Sequence, residues 1–135
     1  MQRISLDMVV TASGGATQGF NTSSIANGLL QAITYRRATA SGLSTAGHIT
    51  ITGAISGLEL LSVTTTGAAG VTVTYYPRAA AQDTSGVTLG FTSAATPPMI
   101  PQMIPVDEAL RAVVSSGGTG SGGGVMGTLN FYVQR

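Results

Sequence analysis

The sequence predicts an all-β protein, an antiparallel β-sandwich or barrel of about eight short strands. Three observations support this class. Apolar, β-branched and aromatic residues alternate with polar ones, as expected for strands with one buried face. These runs recur at intervals of roughly 8 to 15 residues, separated by segments rich in glycine, serine, threonine and proline. No stretch shows sustained helical periodicity.

The chain of 135 residues is expected to form a single β-sandwich domain, residues 1–135. Three segments interrupt its strand pattern. They are an irregular N-terminal segment (11–27), a proline-rich segment (97–105) and a glycine-rich hairpin loop (117–124).

The first predicted strand covers residues 3–10, where apolar side chains alternate with polar ones. The loop that follows is rich in glycine, serine and threonine, and Phe20 and Ile25 are its expected apolar anchors. Asn27-Gly28 is a strong turn signal at its end. The next strands are expected at 29–39, with Leu29, Ile33 and Tyr35 on one side, and at 48–52, 58–63 and 70–76.

The second half begins with an irregular crossing, residues 78–86, whose alanines favour a helical turn. A further strand is predicted at 87–91. The prolines of the 97–105 segment cannot pair in a central ladder, so this segment is expected to run extended across the surface. The last two strands, 109–116 and 125–133, are predicted to pair as an antiparallel hairpin around the glycine-rich loop.

The composition indicates a neutral, hydrogen-bonding surface. Only 8% of residues are charged, the net charge is +1 and lysine is absent, whereas roughly a quarter of residues are charged in typical domains. So few charged side chains give sheet edges little protection against pairing with other chains, which favours a surface covered by other subunits. Six scattered arginines balanced by five acids do not form the basic stripe that nucleic-acid binding requires.

Cysteine is absent, which excludes disulfides and thiolate metal sites. The N-terminus lacks the apolar centre of a signal peptide, and no apolar run reaches the roughly 20 residues of a membrane span. The protein is therefore expected to be made in the cytoplasm, with no membrane partner.

No assembled catalytic, metal or cofactor site is apparent in the sequence. His48 is the only histidine and is interpreted as structural or surface-exposed, because no nucleophile or further ligand is adjacent. Asp107 and Glu108 are adjacent, so on an extended chain they would point to opposite faces; they are interpreted as a loop pair that meets an arginine across an interface. The glycine-rich loop formally contains G-x-G-x-x-G, but a strand follows it where a dinucleotide site needs a helix. A non-enzymatic protein without small-molecule substrate is expected.

Five residues are candidates for contacts with other proteins: Arg36, Arg37, Tyr76, Arg78 and Arg111. Tyr75-Tyr76-Pro77-Arg78 combines two aromatic side chains, a rigid bend and a planar cation, which suits an interface. Arginine in general suits interfaces because its guanidinium is weakly hydrated and forms planar, two-pronged hydrogen bonds.

Several segments together resemble small all-β proteins from the virion-assembly genes of tailed bacteriophages. The segments are residues 28–35, 49–53, 75–79, 104–108 and 110–114, followed by a glycine run and a final strand. The resemblance implies a non-enzymatic head decoration or cement protein on the capsid surface of the virion, made in the host cytoplasm. It also implies self-association, commonly as a homotrimer, and the major capsid protein as partner. The long glycine-rich loop departs from the pattern.

Two alternatives remain open from the sequence. A tail, connector or baseplate component would share the virion setting. A carbohydrate-binding or receptor-binding sandwich is less favoured, because such modules usually bind sugars with exposed aromatic residues, often tryptophan. This chain has no tryptophan and only seven aromatic residues, which are three phenylalanines and four tyrosines.

Overall fold

The computed structural model describes residues 1–9, 17–38, 47–64, 70–80, 101–115 and 125–135. Within these ranges the protein is all-β and contains no helix, which confirms the predicted fold class. The strands are β1 (Gln2–Val9), β2 (Gln18–Arg37), β3 (His48–Gly53), β4 (Glu59–Thr64), β5 (Thr72–Tyr75), β6 (Ala79–Ala80), β7 (Pro101–Gln102), β8 (Ile104–Ser115) and β9 (Val125–Gln134).

Seven of these strands form one antiparallel sheet in the order β1-β9-β2-β8-β3-β4, and β5 pairs with the C-terminal part of β2. The described strands do not close into a barrel. Alternate residues of the strands, from β1 at one edge to β4 at the other, join a single hydrophobic cluster, so the sheet curves around one core. The Gln2 side-chain amide donates to the carbonyl oxygen of Ile25 at 3.2 Å and links β1 to the N-terminal half of β2.

The predicted alternation is confirmed in the terminal strands. Ile4, Leu6 and Met8 of β1 are buried, while the residues between them are exposed. In β9, Leu129, Phe131 and Val133 are buried as predicted. The boundaries of β3, β4 and β5 also lie within two residues of the predicted ones.

The predicted irregular segment 11–27 is wrong for residues 18–27, which belong to the 20-residue strand β2. Small polar residues form a strand here because β8 pairs with this segment on both sides of one irregularity. The register slips between Asn21 and Ile25, and the buried Thr22 hydroxyl accepts the Leu110 amide hydrogen at 3.0 Å, which compensates for the irregular ladder. Phe20 packs on the core, but the other expected anchor, Ile25, is 61% exposed.

Asn27-Gly28 lies inside β2 and is not a turn. Gly28 has a φ of +137°, and a Cβ atom there would collide with the carbonyl oxygen of Gln134, so the position favours glycine for its conformation and for close approach of β9. A second irregularity, between Leu30 and Ala32, shifts the alternation by one residue. Leu30 is therefore buried, while Leu29, predicted to share a side with Ile33, is 38% exposed.

The predicted hairpin of the last two strands is also wrong. β8 and β9 do not pair with each other, because β2 lies between them and pairs with both. Neighbouring strands are about 4.8 Å apart, so the segment that joins β8 to β9 is long enough to pass one intervening strand. The glycine-rich loop 117–124 itself lies outside the described residues.

The proline-rich segment is partly strand. Pro101–Gln102 pairs with Ala79–Ala80 in a small second sheet, so those alanines do not form the predicted helical turn. Pro105 belongs to β8 and pairs with Leu29. β3 pairs with β8 only from Leu110 onward, so Pro105 lies where a missing N–H disrupts no ladder with β3. Residues 97–100 and the predicted strand 87–91 lie outside the described residues.

Candidate functional site

The outer surface of strands β1, β9, β2 and β5 is a polar surface built from four neighbouring strands. The side chains that alternate with the buried ones lie in register across these four strands. We call this surface the polar face; its members are Arg3, Ser5, Asp7, Thr128, Asn130, Tyr132, Ala32, Thr34, Arg36, Thr72 and Thr74.

Hydrogen bonds connect neighbouring strands across the polar face. The Ser5 hydroxyl donates to Asn130 Oδ1 at 2.6 Å, and Asn130 Nδ2 donates to Thr34 Oγ1 at 3.4 Å. In the next row, the Thr128 hydroxyl donates to Asp7 Oδ1 at 2.7 Å. These cross-strand pairs hold short polar side chains in fixed positions, so the face offers ordered hydroxyl and amide groups to a partner.

Two of the five predicted contact residues lie on this face or at its border, at opposite ends of β5. Arg36 lies in the row of Asp7 and Thr128 and is exposed. Tyr76 follows Tyr75, which packs on the core, so its ring lies on the opposite, outer side and is 67% exposed. Arg78 lies at the margin, where Nη1 donates to the carbonyl oxygens of Gln31 at 2.9 Å and Pro77 at 2.6 Å.

Arg37 is not part of the polar face, because it alternates with Arg36 and has the same orientation as the buried Tyr35. Burial raises the pKa of the Tyr35 phenol to about 12, and the positive charge of Arg37 opposes this effect. The Tyr35 hydroxyl is buried without a hydrogen-bond partner among the described residues. Arg37 therefore lies beside the core and faces the opposite side of the sheet from Arg36.

Arg111 occupies a different part of the sheet, in the middle of β8 between Asn21 of β2 and Thr52 of β3. Its guanidinium lies against Gly19, where a Cβ atom would be 2.8 Å from Nη2. The structure thus places Arg111 outside the polar face.

His48 lies in β3, and its Nε2 is 2.7 Å from the hydroxyl oxygen of Ser62 on the neighbouring strand. Among the described residues no acidic side chain is hydrogen-bonded to this ring, so the third member of a nucleophile-base-orienter set is not in place. The described ranges also contain no group of three or more histidine or acidic side chains placed to hold a metal ion.

Asp107 and Glu108 lie on β8 and not in a loop, and their side chains have separate partners as their opposite orientation predicts. Asp107 Oδ1 accepts a hydrogen bond from Asn27 Nδ2 at 2.6 Å. Glu108 accepts three hydrogen bonds at the β3–β4 turn, from the amides of Ile55 at 2.5 Å and Ser56 at 3.0 Å and from the Ser56 hydroxyl at 2.5 Å. The interpretation that the pair meets an arginine across an interface stays a prediction, because it concerns a contact with another molecule.

The hydrogen bonds from the Ser56 hydroxyl, the Ser56 amide and the Ile55 amide, in that order, lower the pKa of the Glu108 carboxyl below its usual range. Sequence reasoning missed this role. A signal was present: Glu108 stands in the alternating series of otherwise apolar residues Ile104, Val106, Leu110 and Ala112. An acid at such a position needs hydrogen-bond donors nearby.

Sequence reasoning also missed Arg3, Asp7 and Tyr132 as members of one surface. Their alternation within each strand was visible, but their alignment depends on β9 lying between β1 and β2. No apolar helix of membrane-spanning length occurs in the part of the chain that the structure describes.

Neither the family models nor the curated proteins contain a match to this chain. Among solved structures, the chain is similar to the crystal structure of FLHE, with a TM-score of 0.42 and 12% sequence identity; the alignment covers 98% of this chain and 95% of that chain. At this TM-score the likeness carries no argument about function.

Proposed function

We propose that this protein is a non-enzymatic structural protein that coats a larger protein assembly, specifically a decoration or cement protein on the capsid surface of a tailed bacteriophage. Its partners are copies of itself, with three as the number implied by the resemblance, and the major capsid protein. The observation that carries the proposal is the polar face, an ordered surface with exposed Arg36 opposite the start of β5 and exposed Tyr76 just after its end.

The chemistry of the polar face suits a protein partner. Hydroxyl and amide side chains that are already positioned lose little conformational entropy on binding. Tyrosine and arginine supply large contact areas and directional hydrogen bonds, and they are enriched at interface hot spots. On a shell, many copies bind at once, so a modest contact at each copy becomes collectively strong.

The test is co-sedimentation of the purified protein with expanded phage capsid shells, after its mass has been measured by light scattering. We expect wild-type protein to pellet with shells and the double variant Arg36→Glu, Tyr76→Ala to remain in the supernatant. Arg111→Glu is the matched control, because Arg111 is an exposed arginine outside the polar face. Equal pelleting of wild type and the double variant would show that the polar face is not the docking surface.

A second candidate function, glycan or receptor binding, is favoured by one observation. Tyr132 lies on the polar face in the row of Arg3 and Ala32, next to the amide side chain of Asn130 on the same strand, and Tyr76 is exposed at the β5 side. Aromatic rings flanked by such groups suit the apolar and hydroxyl surfaces of sugars. Binding of an oligosaccharide on a glycan array that is lost in Tyr132→Ala, together with absence from shell pellets, would favour this function.

A further inference from the structure

The turn between β3 and β4 is fixed by backbone hydrogen bonds on several sides. The Gly53 amide donates to Leu58 O at 3.0 Å and the Gly57 amide donates back to Gly53 O at 3.1 Å. The Ala54 amide donates to Ala109 O on β8 at 2.9 Å. With the hydrogen bonds to Glu108, nearly every amide in the turn has a defined partner. We call residues 54–58 the tip.

The tip presents apolar side chains to solvent although its backbone is held in place. Ile55 is 88% exposed and Leu58 is 54% exposed. These side chains gain little from the fold itself, because they bury little surface within the molecule. A fixed backbone lowers the entropy cost of inserting them into a partner, so the arrangement suits a contact made with another molecule.

A second feature of the same chain matches the tip. An open cleft of about 540 Å³ lies where β2, the start of β8 and the end of β9 meet. Leu29, Met103, Pro105 and Val106 give it an apolar lining, and Leu29 is 38% exposed. We call this the apolar cleft. Its volume is within the range that accommodates ligands larger than one side chain, so it has room for Ile55 and Leu58 together.

One pair of charges beside the two surfaces is complementary. The exposed Glu59 directly follows the tip, and the exposed Arg135 lines the apolar cleft. Asp107 also lines the cleft, accepts the Asn27 amide hydrogen bond at 2.6 Å and carries the same charge as Glu59, so the acid beside the tip has to approach Arg135 and not Asp107. A tip that enters the cleft thus brings an acid towards an arginine, which favours this orientation over the reverse.

We propose that the tip of one copy inserts into the apolar cleft of a second copy, with Ile55 as the anchor and Glu59 beside Arg135. This inference deepens the self-association in the proposed function and rests on it in that respect. The contact joins two different surfaces and is therefore heterologous, and such contacts form closed rings when the rotation between copies closes. It is compatible with the trimer that the resemblance implies.

The first experiment measures the mass of wild type and of single variants by light scattering over a range of concentrations. We expect Ile55→Asp in the tip, and Leu29→Asp or Arg135→Glu in the cleft, to weaken self-association by about tenfold or more, because one buried anchor or its charge partner is lost. Val71→Asp, which changes an exposed valine outside both surfaces, is the control and should retain the wild-type mass. Circular dichroism verifies that each variant is folded. If Leu29→Asp does not fold, Arg135→Glu, which changes an exposed residue, still tests the cleft.

The second experiment mixes a tip variant with a cleft variant. A mixture of Ile55→Asp and Arg135→Glu retains one intact tip and one intact cleft, so we expect a one-to-one heterodimer where each variant alone is monomeric. A monomeric wild type, wild-type mass in Ile55→Asp, or a mixture that stays monomeric would overturn the contact. Shell co-sedimentation is scored separately, so binding to shells by a protein that fails these tests would leave the proposed function in place.

Discussion

At the residue scale, Tyr35 combines complete burial with an unsatisfied hydroxyl. Its side chain is 1% exposed, and the hydroxyl has no hydrogen-bond partner among the described residues. An unsatisfied buried polar group costs free energy, so its removal need not destabilise the protein. We expect Tyr35→Phe to change the free energy of unfolding at neutral pH by no more than about 1 kcal/mol, as measured by urea denaturation.

The same residue predicts a change at alkaline pH. The folded-state pKa of the Tyr35 phenol, about 12, lies above the ordinary value of 10.0. The stability that the protonated phenol gives the folded state is therefore intact below pH 10 and is lost as the pH rises through 12. Wild type should lose about 2–3 kcal/mol relative to Tyr35→Phe over this interval. Absorbance at 295 nm should show one tyrosine that titrates near pH 12 and is missing from the variant; identical titration curves would contradict the assignment.

Gly127 provides a second prediction at this scale. A Cβ atom there would lie 2.6 Å from Cε2 of the buried Tyr35 ring and 3.1 Å from the carbonyl oxygen of Arg36. Since neither neighbour can move freely, we expect Gly127→Ala to destabilise the protein by about 1–3 kcal/mol. Gly19→Ala is the matched control, because its nearest neighbour is the flexible end of Arg111, and it should cost less in the same thermal denaturation experiment.

At the scale of the element, the β3–β4 turn depends on one carboxylate from another strand. The hydrogen bonds at Glu108 lower its pKa below the ordinary value of 4.5, so the carboxylate stabilises the fold above pH 4.5 and this contribution is lost as the pH falls through the lower, folded-state pKa. Glu108→Gln should lower the melting temperature at pH 7 and reduce the acid dependence of stability. Glu59→Gln, which changes an exposed acid next to the same turn, serves as the control, and equal acid dependence in Glu108→Gln and wild type would contradict this role.

The position of β2 between β8 and β9 can be tested by cross-linking. Asn130 Nδ2 is 3.4 Å from Thr34 Oγ1, and the two residues are paired in the ladder. The chain has no cysteine, so Thr34→Cys with Asn130→Cys introduces the only two thiols. We expect an intramolecular disulfide after mild oxidation, detected by mass spectrometry. Two free thiols would contradict the pairing of β2 with β9.

At the scale of the whole molecule, the sequence predicted which segments form strands better than it predicted which strands pair with each other. Alternation identified β1 and β9, because each has a simple apolar series such as Ile4, Leu6 and Met8. It did not identify residues 18–27, whose polar composition suits a loop and which form a strand only because β8 pairs with them. Strand order depends on contacts between distant segments, so the insertion of β2 between β8 and β9 was not visible in local patterns.

The same reason limits prediction of the candidate site. Arg36 and Tyr76 could be selected by chemistry, since exposed arginine and tyrosine are typical of interfaces. Their placement on the same side of the sheet as Arg3, Asp7 and Tyr132 depends on the order of four strands. Arginine chemistry alone did not show that Arg36 belongs to the polar face while Arg37 and Arg111 do not. The alternation along β2 excludes Arg37, and the position of β8 in the sheet excludes Arg111.

The central claim is that the polar face is the surface that docks on the capsid shell, and cysteine footprinting tests it most directly. Thr74→Cys places a thiol on the exposed part of the polar face, and Ser62→Cys places one on β4, also exposed but outside it. With shells added, we expect maleimide labelling of Thr74→Cys to fall strongly while labelling of Ser62→Cys is unchanged. Unchanged labelling of Thr74→Cys in protein that pellets with shells would contradict the claim.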